Sequence, residues 1–281
     1  MKRIWNLLCL SALPLLLIRL WDVKSNIDAR TGFFHDERWF RHVLILLTFI
    51  ALVLYENICA RRQADETFHP KNSVGVLLAG AMTSLCVFVA SLLMLYSSYT
   101  TGGGISYLLM PRRALMEMGI ISTHFQTEFW CSLVGLATVA WFAWLCIRFN
   151  KGGDVSIKPL FCLLPVIWYS FRAFNDFSLA PVNYHNTLVF SCFTADLLLA
   201  LAWYNVAHHA ALGYTRQSRV KASTFILAAI LFTVSFKFPV LFIPYSHHTI
   251  FDKIFILSDT LSAISLYFIA SQYWKGTASN E

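Results

Sequence analysis

The chain predicts an all-α, polytopic transmembrane helical bundle of about eight spans, with seven as the alternative. Three observations carry this. First, 57% of the 281 residues are hydrophobic and only 13% are charged, with a mean hydropathy of +0.59. Soluble domains carry about 25% charged residues, and lipid exposure explains the shortfall because a charge in hydrocarbon costs several kcal/mol. Second, long apolar runs recur along the chain, most of them near the roughly 20 residues that cross a bilayer core. Third, most runs lack the polar face that a soluble helical bundle requires.

The formal net charge is +7. The basic residues sit between the apolar runs, so they read as orientation signals and not as a nucleic-acid footprint. Seven cysteines lie in or at the ends of apolar runs without a CxxC pair. They read as small buried hydrophobes, and neither a disulfide framework nor a metal site or cofactor is expected. No internal repeat or soluble domain stands out, so residues 1–281 read as a single integral membrane domain.

Taken in order, Lys2 and Arg3 precede an apolar run that ends in Arg19, Trp21 and Asp22 without a small-x-small cleavage site. An uncleaved first span, kinked at Pro14, is the expectation. Asp22 to Arg41 reads as a polar loop, with turn chemistry in the DARTG stretch from Asp28 to Gly32. His42 to Ala60 forms the second span, with Glu56 expected to pair with Arg61 or Arg62 at the interface. In the third, Val74 to Ser97, the pairs Ala79/Thr83 and Gly80/Ser84 are each four apart, a spacing that lets helices approach closely.

Residues 98–129 read as an outer loop. Gly102 to Gly104 lack the Lys and Ser/Thr of a phosphate-binding loop, so a flexible hinge is expected there. After Pro111, a short interfacial helix would place Arg112, Arg113 and Glu117 against Leu115, Met116 and Met118. Trp130 to Phe149, Lys158 to Phe177, Thr187 to His208, Lys221 to Ile243 and Ile250 to Tyr273 complete the spans. With the N-terminus inside, twelve Lys and Arg face the cytoplasm and seven face out, which favours both termini cytoplasmic.

Charges inside the spans are the functional lead. Arg172, Asp176, Asp196, Lys237 and Asp259 are the candidate ligand- or ion-binding residues. At about 1.5 Å per residue, Arg172 lies roughly 9 Å below the outer end of its span, Lys237 about 10 Å, and Asp196 and Asp259 about 13 Å. One slab of the outer half thus collects charges from four spans. Arg172 and Asp176 are four apart and can pair on one helix, with Trp168 on the same face. Cys192, Asp196 and Trp203 share a stripe, and Ser262 falls near the face of Asp259. Pro239 loosens the helix beside Lys237.

Two functional classes are consistent with these charges. One is a carrier or binding protein for a small polar solute or ion, since intramembrane ionisable groups mark such sites. The alternative is a sensor or scaffold component whose charges only hold helices in register. An enzyme is disfavoured: no nucleophile–base pair or hydrolase signature is present. The adjacent pairs His208-His209 and His247-His248 point to different helix faces and do not suit a metal. The lipid bilayer is the one firm partner expected.

Arg19-x-Trp21 followed by Asp28-x-x-Thr31-Gly32-Phe33 resembles the opening of a group of uncharacterised multi-pass membrane proteins of Clostridia-type bacteria. Leu164 to Trp168, on through Asp176, and Asp196 to Tyr204 are similar to its middle. The resemblance covers about half the chain and implies a bacterial cytoplasmic membrane. It implies no chemistry.

The topology is testable with one cysteine at Ser178, in a background lacking the seven native cysteines. With eight spans and a cytoplasmic N-terminus, an impermeant maleimide labels it on intact cells; labelling only after permeabilisation overturns that topology.

Overall fold

The computed structural model describes residues 2–26, 28, 39–61, 74–119, 124–151, 161, 163–179, 187–212, 216–242 and 250–273. Among these residues there is no strand. The elements are α1 (Lys2–Asn26), α2 (Trp39–Arg61), α3 (Val74–Gly102), the short α4 (Ile105–Leu108) and α5 (Arg112–Glu117), and α6 (His124–Lys151). They continue with α7 (Leu164–Leu179), α8 (Thr187–Leu212), α9 (Arg216–Phe232) and α10 (Ile250–Tyr273). Between α9 and α10 the rod runs on through a π-helical turn (Thr233–Lys237) and a 3-10 stretch (Phe238–Phe242).

Five stretches are long and apolar enough to cross a bilayer: Asn6–Asn26, Leu77–Gly102, Phe125–Ile147, Val220–Phe242 and Lys253–Ala270. His42–Ile58 is apolar but shorter. Large apolar side chains such as Leu10, Leu17, Leu47, Leu54, Leu78 and Leu85 stand exposed along these rods. Water would not tolerate so much apolar surface; acyl chains solvate it. The chain is an all-α helical membrane protein.

Six rods close a circle, each packed on the next: α10, α3, α6, α7, α8, α9 and back to α10. α1 and α2 pair outside it, α2 against α9 and α1 against the π and 3-10 stretches. The small residues of α3 explain two of these contacts. On one side Gly80 faces Cys146 of α6, and the Ser84 hydroxyl donates to the Val139 carbonyl at 3.3 Å. On the other, Thr83 shares a 3.4 Å hydrogen bond with Ser265 of α10, and Gly75 lies against Phe268. The two staggered pairs therefore serve two different neighbours.

Several expected boundaries move. α3 continues past Ser97 because its hydroxyls return to their own helix: Ser98 donates to Met94 O at 2.7 Å and Thr100 to Tyr96 O at 3.0 Å. Polar residues bonded this way need not leave the rod. It stops at Gly103 and Gly104, with φ of +73° and +122°, where a side chain would be strained. The glycines thus end a helix and lie between it and the next. α4 and α5 fold back over a small apolar cluster of Leu108, Leu115 and Phe125. The Gln126 amide fastens them by donating to Tyr107 O and Met110 O at 3.0 and 2.7 Å. Of the apolar side expected for α5, only Leu115 is buried; Met116 and Met118 are exposed.

α1 extends to Asn26 and α6 begins at His124. Of the DARTG stretch, only Asp28 falls within the described residues. The seventh rod is not one regular helix. Pro239 has no N–H to give the Ser235 carbonyl and clashes with it in α geometry. The π turn just before it is how the chain passes that point.

A tight approach of α6 to α3 and α7 supplies a test. A Cβ on Gly135 of α6 would meet Ser91 Oγ at 2.1 Å and the Trp168 ring at 2.6 Å. Gly135→Ala is expected to destabilise the protein by about 1–3 kcal/mol, the usual overpacking range, read as a lower unfolding temperature in detergent. An unchanged midpoint would contradict this packing.

Candidate functional site

Four rods of the circle each turn one charge inward. Arg172 comes from α7, Asp196 from α8, Lys237 from the last position of the π turn and Asp259 from α10. Their relative exposures are 5%, 0%, 1% and 0%. The charges alternate around a closed square. Lys237 Nζ donates to Asp196 Oδ1 at 2.6 Å and reaches Asp259 Oδ2 at 2.7 Å. Arg172 Nη1 donates to Asp259 Oδ1, and its Nη2 stands 3.6 Å from Asp196 Oδ2. Each carboxylate thus bridges both cations, and the square sums to zero charge.

This arrangement answers the cost of burial. An isolated ion taken from water into a low-dielectric interior loses several kcal/mol of solvation even after relaxation, and only close opposite charges restore it. Here every charge has two. The Arg172 guanidinium also lies 4.5 Å from the centre of the Phe255 ring and 5.8 Å from that of Trp168, a second source of stabilisation for a cation out of water. The π turn opens the backbone ladder by one residue where Lys237 enters the square. Cys192, one turn from Asp196 on the stripe expected from sequence, lies within electrostatic reach of Lys237.

Towards the α8–α9 end of the bundle an aromatic cluster joins α8 to α6. Trp203 sits about 10 Å along α8 from Asp196 and packs edge-on against Trp141 and Phe142 of α6, at centroid distances of 5.1 and 5.4 Å. Its indole N–H donates to Ser262 Oγ at 2.9 Å, so the serine expected near the face of Asp259 ties α8 to α10. Tyr169, fully buried, lies by Ser262 and close enough to Asp259, Arg172 and Asp196 to feel their charges.

The structure therefore brings Arg172, Asp196, Lys237 and Asp259 together. The side chain of Asp176 lies outside the described residues, as do those of His209, His247 and His248. The two carboxylates described against Arg172 come from α8 and α10. Among the described residues no group of three His, Cys, Asp or Glu is arranged to hold a metal ion.

Sequence reasoning missed two buried charged groups. Arg19 and Asp22, read as the flank of the first span, are each 2% exposed. Arg19 Nη1 donates to Asp22 Oδ2 at 3.0 Å, and Asn26 Nδ2 to Asp22 Oδ1 at 2.9 Å. The signal was present: positions 19, 22 and 26 match the spacing of one helix face. Phe236, next to Lys237, links the two clusters, with the Arg19 guanidinium 5.3 Å from its ring centre and His42 stacked on it at 5.8 Å. Glu56, expected at an interface, is 5% exposed and accepts a 3.2 Å hydrogen bond from Ser223 of α9. The Arg61 and Arg62 side chains lie outside the described residues.

The Arg19–Asp22 pair makes a direct prediction. Asp22→Asn takes a carboxylate charge away from a buried guanidinium and should cost roughly 3–5 kcal/mol, whereas Arg19→Met with Asp22→Leu should regain most of it. Thermal unfolding followed by tryptophan fluorescence distinguishes these; a neutral Asp22→Asn would mean the pair is not buried. Comparison with family models, with curated proteins and with solved structures finds no match, so the functional argument rests on the geometry.

Proposed function

We propose that the protein is a membrane-embedded carrier or binding protein for a small polar solute or ion, with Arg172, Asp196, Lys237 and Asp259 as its site. In this reading the chain crosses a bacterial cytoplasmic membrane eight times with both termini in the cytoplasm. It forms a single integral domain, with α5 at the outer lipid interface. The observation that carries it is the convergence of four ionisable side chains from four rods at a break in one of them. A helix lock needs only one pair. Solute sites in membrane proteins recur where a rod is discontinuous, because irregular backbone has free polar groups to offer, and π turns mark functional positions in many helices. Intramembrane charges point the same way.

The chemistry is exchange. An arriving polar solute or ion competes for a corner of the square and replaces internal charge contacts with its own. The described form is closed by its own ion pairs and by the Trp141–Phe142–Trp203 layer. Opening it requires a rod to shift, and the π and 3-10 stretches under α1 are where the ladder is already irregular.

A second reading has its own support. Zero net charge and near-complete burial are also what a structural clamp shows, in a scaffold or a sensor that works through partners. Asp196→Asn, Lys237→Met and the double variant separate the readings, using thermal unfolding with and without a library of small polar solutes and inorganic ions. Each single change should cost roughly 3–5 kcal/mol, and the double change less. For a binding site, one library member should raise wild-type stability by about 2.7 kcal/mol at a hundred times its dissociation constant, and the folded double variant should not respond. Recovery in the double variant with no response in the wild type leaves the clamp.

A further inference from the structure

We infer that a site for one small uncharged hydroxylic molecule, water or a short polyol, lies beside the square between Ser91 of α3, Trp168 of α7 and Ser258 of α10. The site is independent of whether the square exchanges its contacts or only clamps the rods. All three residues are 0% exposed, and the Ser91 and Ser258 hydroxyls and the Trp168 indole N–H have no hydrogen-bond partner among the described residues. Other hydroxyls of the same rods are bonded. Thr83, Ser98, Thr260 and Ser265 all donate to carbonyls of their own helices, the local bond open to any helical serine or threonine. Lipid offers no partner to a polar group inside a bilayer, and a buried group left unbonded costs its full desolvation.

Packing and register bring the three groups together. Ser91 Oγ and the Trp168 ring both lie against Gly135 of α6, 2.1 and 2.6 Å from where its Cβ would stand. Trp168 in turn faces Phe255 of α10, with ring centres 6.2 Å apart, and Ser258 follows three residues later on the same face. On α3 and α10, Gly75 meets Phe268 and Thr83 meets Ser265, so these rods run antiparallel. Ser91 lies about 12 Å beyond Thr83, and Ser258 about 10.5 Å before Ser265 in the same direction. The two serines are therefore nearly level. Positions 258 and 265 are separated by close to two full turns, so Ser258 shares the α3-facing side of Ser265. The square is adjacent: Ser258 precedes Asp259, and the Arg172 guanidinium lies 5.8 Å from the Trp168 ring centre. What is unmet here is neutral. Each hydroxyl both donates and accepts, and the indole only donates. A cation gains nothing from an indole N–H, and an anion would add a negative charge where the square already balances two against two. An O–H group accepts from the indole and exchanges hydrogen bonds with the serines, and about three such partners are usual for a buried water.

The test uses the full-length protein in detergent. Removing a hydroxyl that truly has no partner relieves a desolvation cost, so Ser91→Ala and Ser258→Ala would then hold or raise the unfolding midpoint. With the site occupied, each should instead lower it by about 2–4 °C, the worth of one lost hydrogen bond. Radiolytic hydroxyl labelling of the wild type needs no variant and reads the same site. Water held there should oxidise the Trp168 ring several times faster than that of Trp203, which is equally buried but has its N–H bonded to Ser262. Midpoints that hold or rise, or a Trp168 labelled no faster than Trp203, overturn the site. Calorimetric titration with glycerol and erythritol separates the two occupants. A saturable heat that is lost in the Ser91→Ala, Ser258→Ala double variant identifies a polyol, and lowered midpoints without such heat identify water alone.

Discussion

The structure depends on one electrostatic constraint: two carboxylates, a guanidinium and an ammonium must meet one another inside a membrane. None of the four can face lipid, because the cost of an unpaired charge in hydrocarbon rivals the whole stability of a domain. Each of the four rods is therefore fixed twice. Its rotation must point its charge inward, and its depth must bring that charge level with the others. Sliding α8 or α10 by one turn would move a carboxylate about 5.4 Å and break two contacts at once.

The rest of the packing accommodates this. Apolar surface gives little drive between helices in lipid, so close fit and hydrogen bonds hold the rods. Glycines let α3 and α6 approach each other around Ser91, Cys146 and Trp168. Hydroxyls tie α3 to α10 through Thr83 and Ser265, and Trp203 ties α8 to α10 through Ser262. The outer pair, α1 and α2, is tied in by charge as well. Phe236 lies against both Arg19 and His42 and is the chain neighbour of Lys237. The π turn thus adjoins two buried ionic groups, the square through Lys237 and the Arg19–Asp22 pair through Phe236.

That coupling bears on function. A neutral square of charges is stable when closed, yet each of its contacts is of the kind that a charged group on a solute reproduces. On the proposed reading, the pairs that hold the rods in register are also the ones a solute would exchange with, beside the irregular backbone at Lys237. Holding helices together and, on that reading, receiving a ligand would be two uses of one set of contacts.

Composition and run length alone determined the class, because crossing a bilayer demands long helices without charge. The depth of Arg172, Asp196, Lys237 and Asp259 was legible for a similar reason: a fixed rise per residue turns sequence position into height. Azimuth and neighbours are another matter. Local spacing offered Asp176 to Arg172, and the Asp176 side chain lies outside the described residues; the carboxylates described against Arg172 belong to α8 and α10, and only the order of rods around the circle could select those. Arg19, Asp22 and Glu56 read as interfacial because they stand near the ends of apolar runs; neighbouring rods bury them. The π turn at Thr233–Lys237 was likewise hidden, although Pro239 announced a weakness in the helix. Height along a helix is a one-dimensional property that the sequence carries by itself. Which charges meet depends on the packing of separate helices, and the tertiary structure alone decided that.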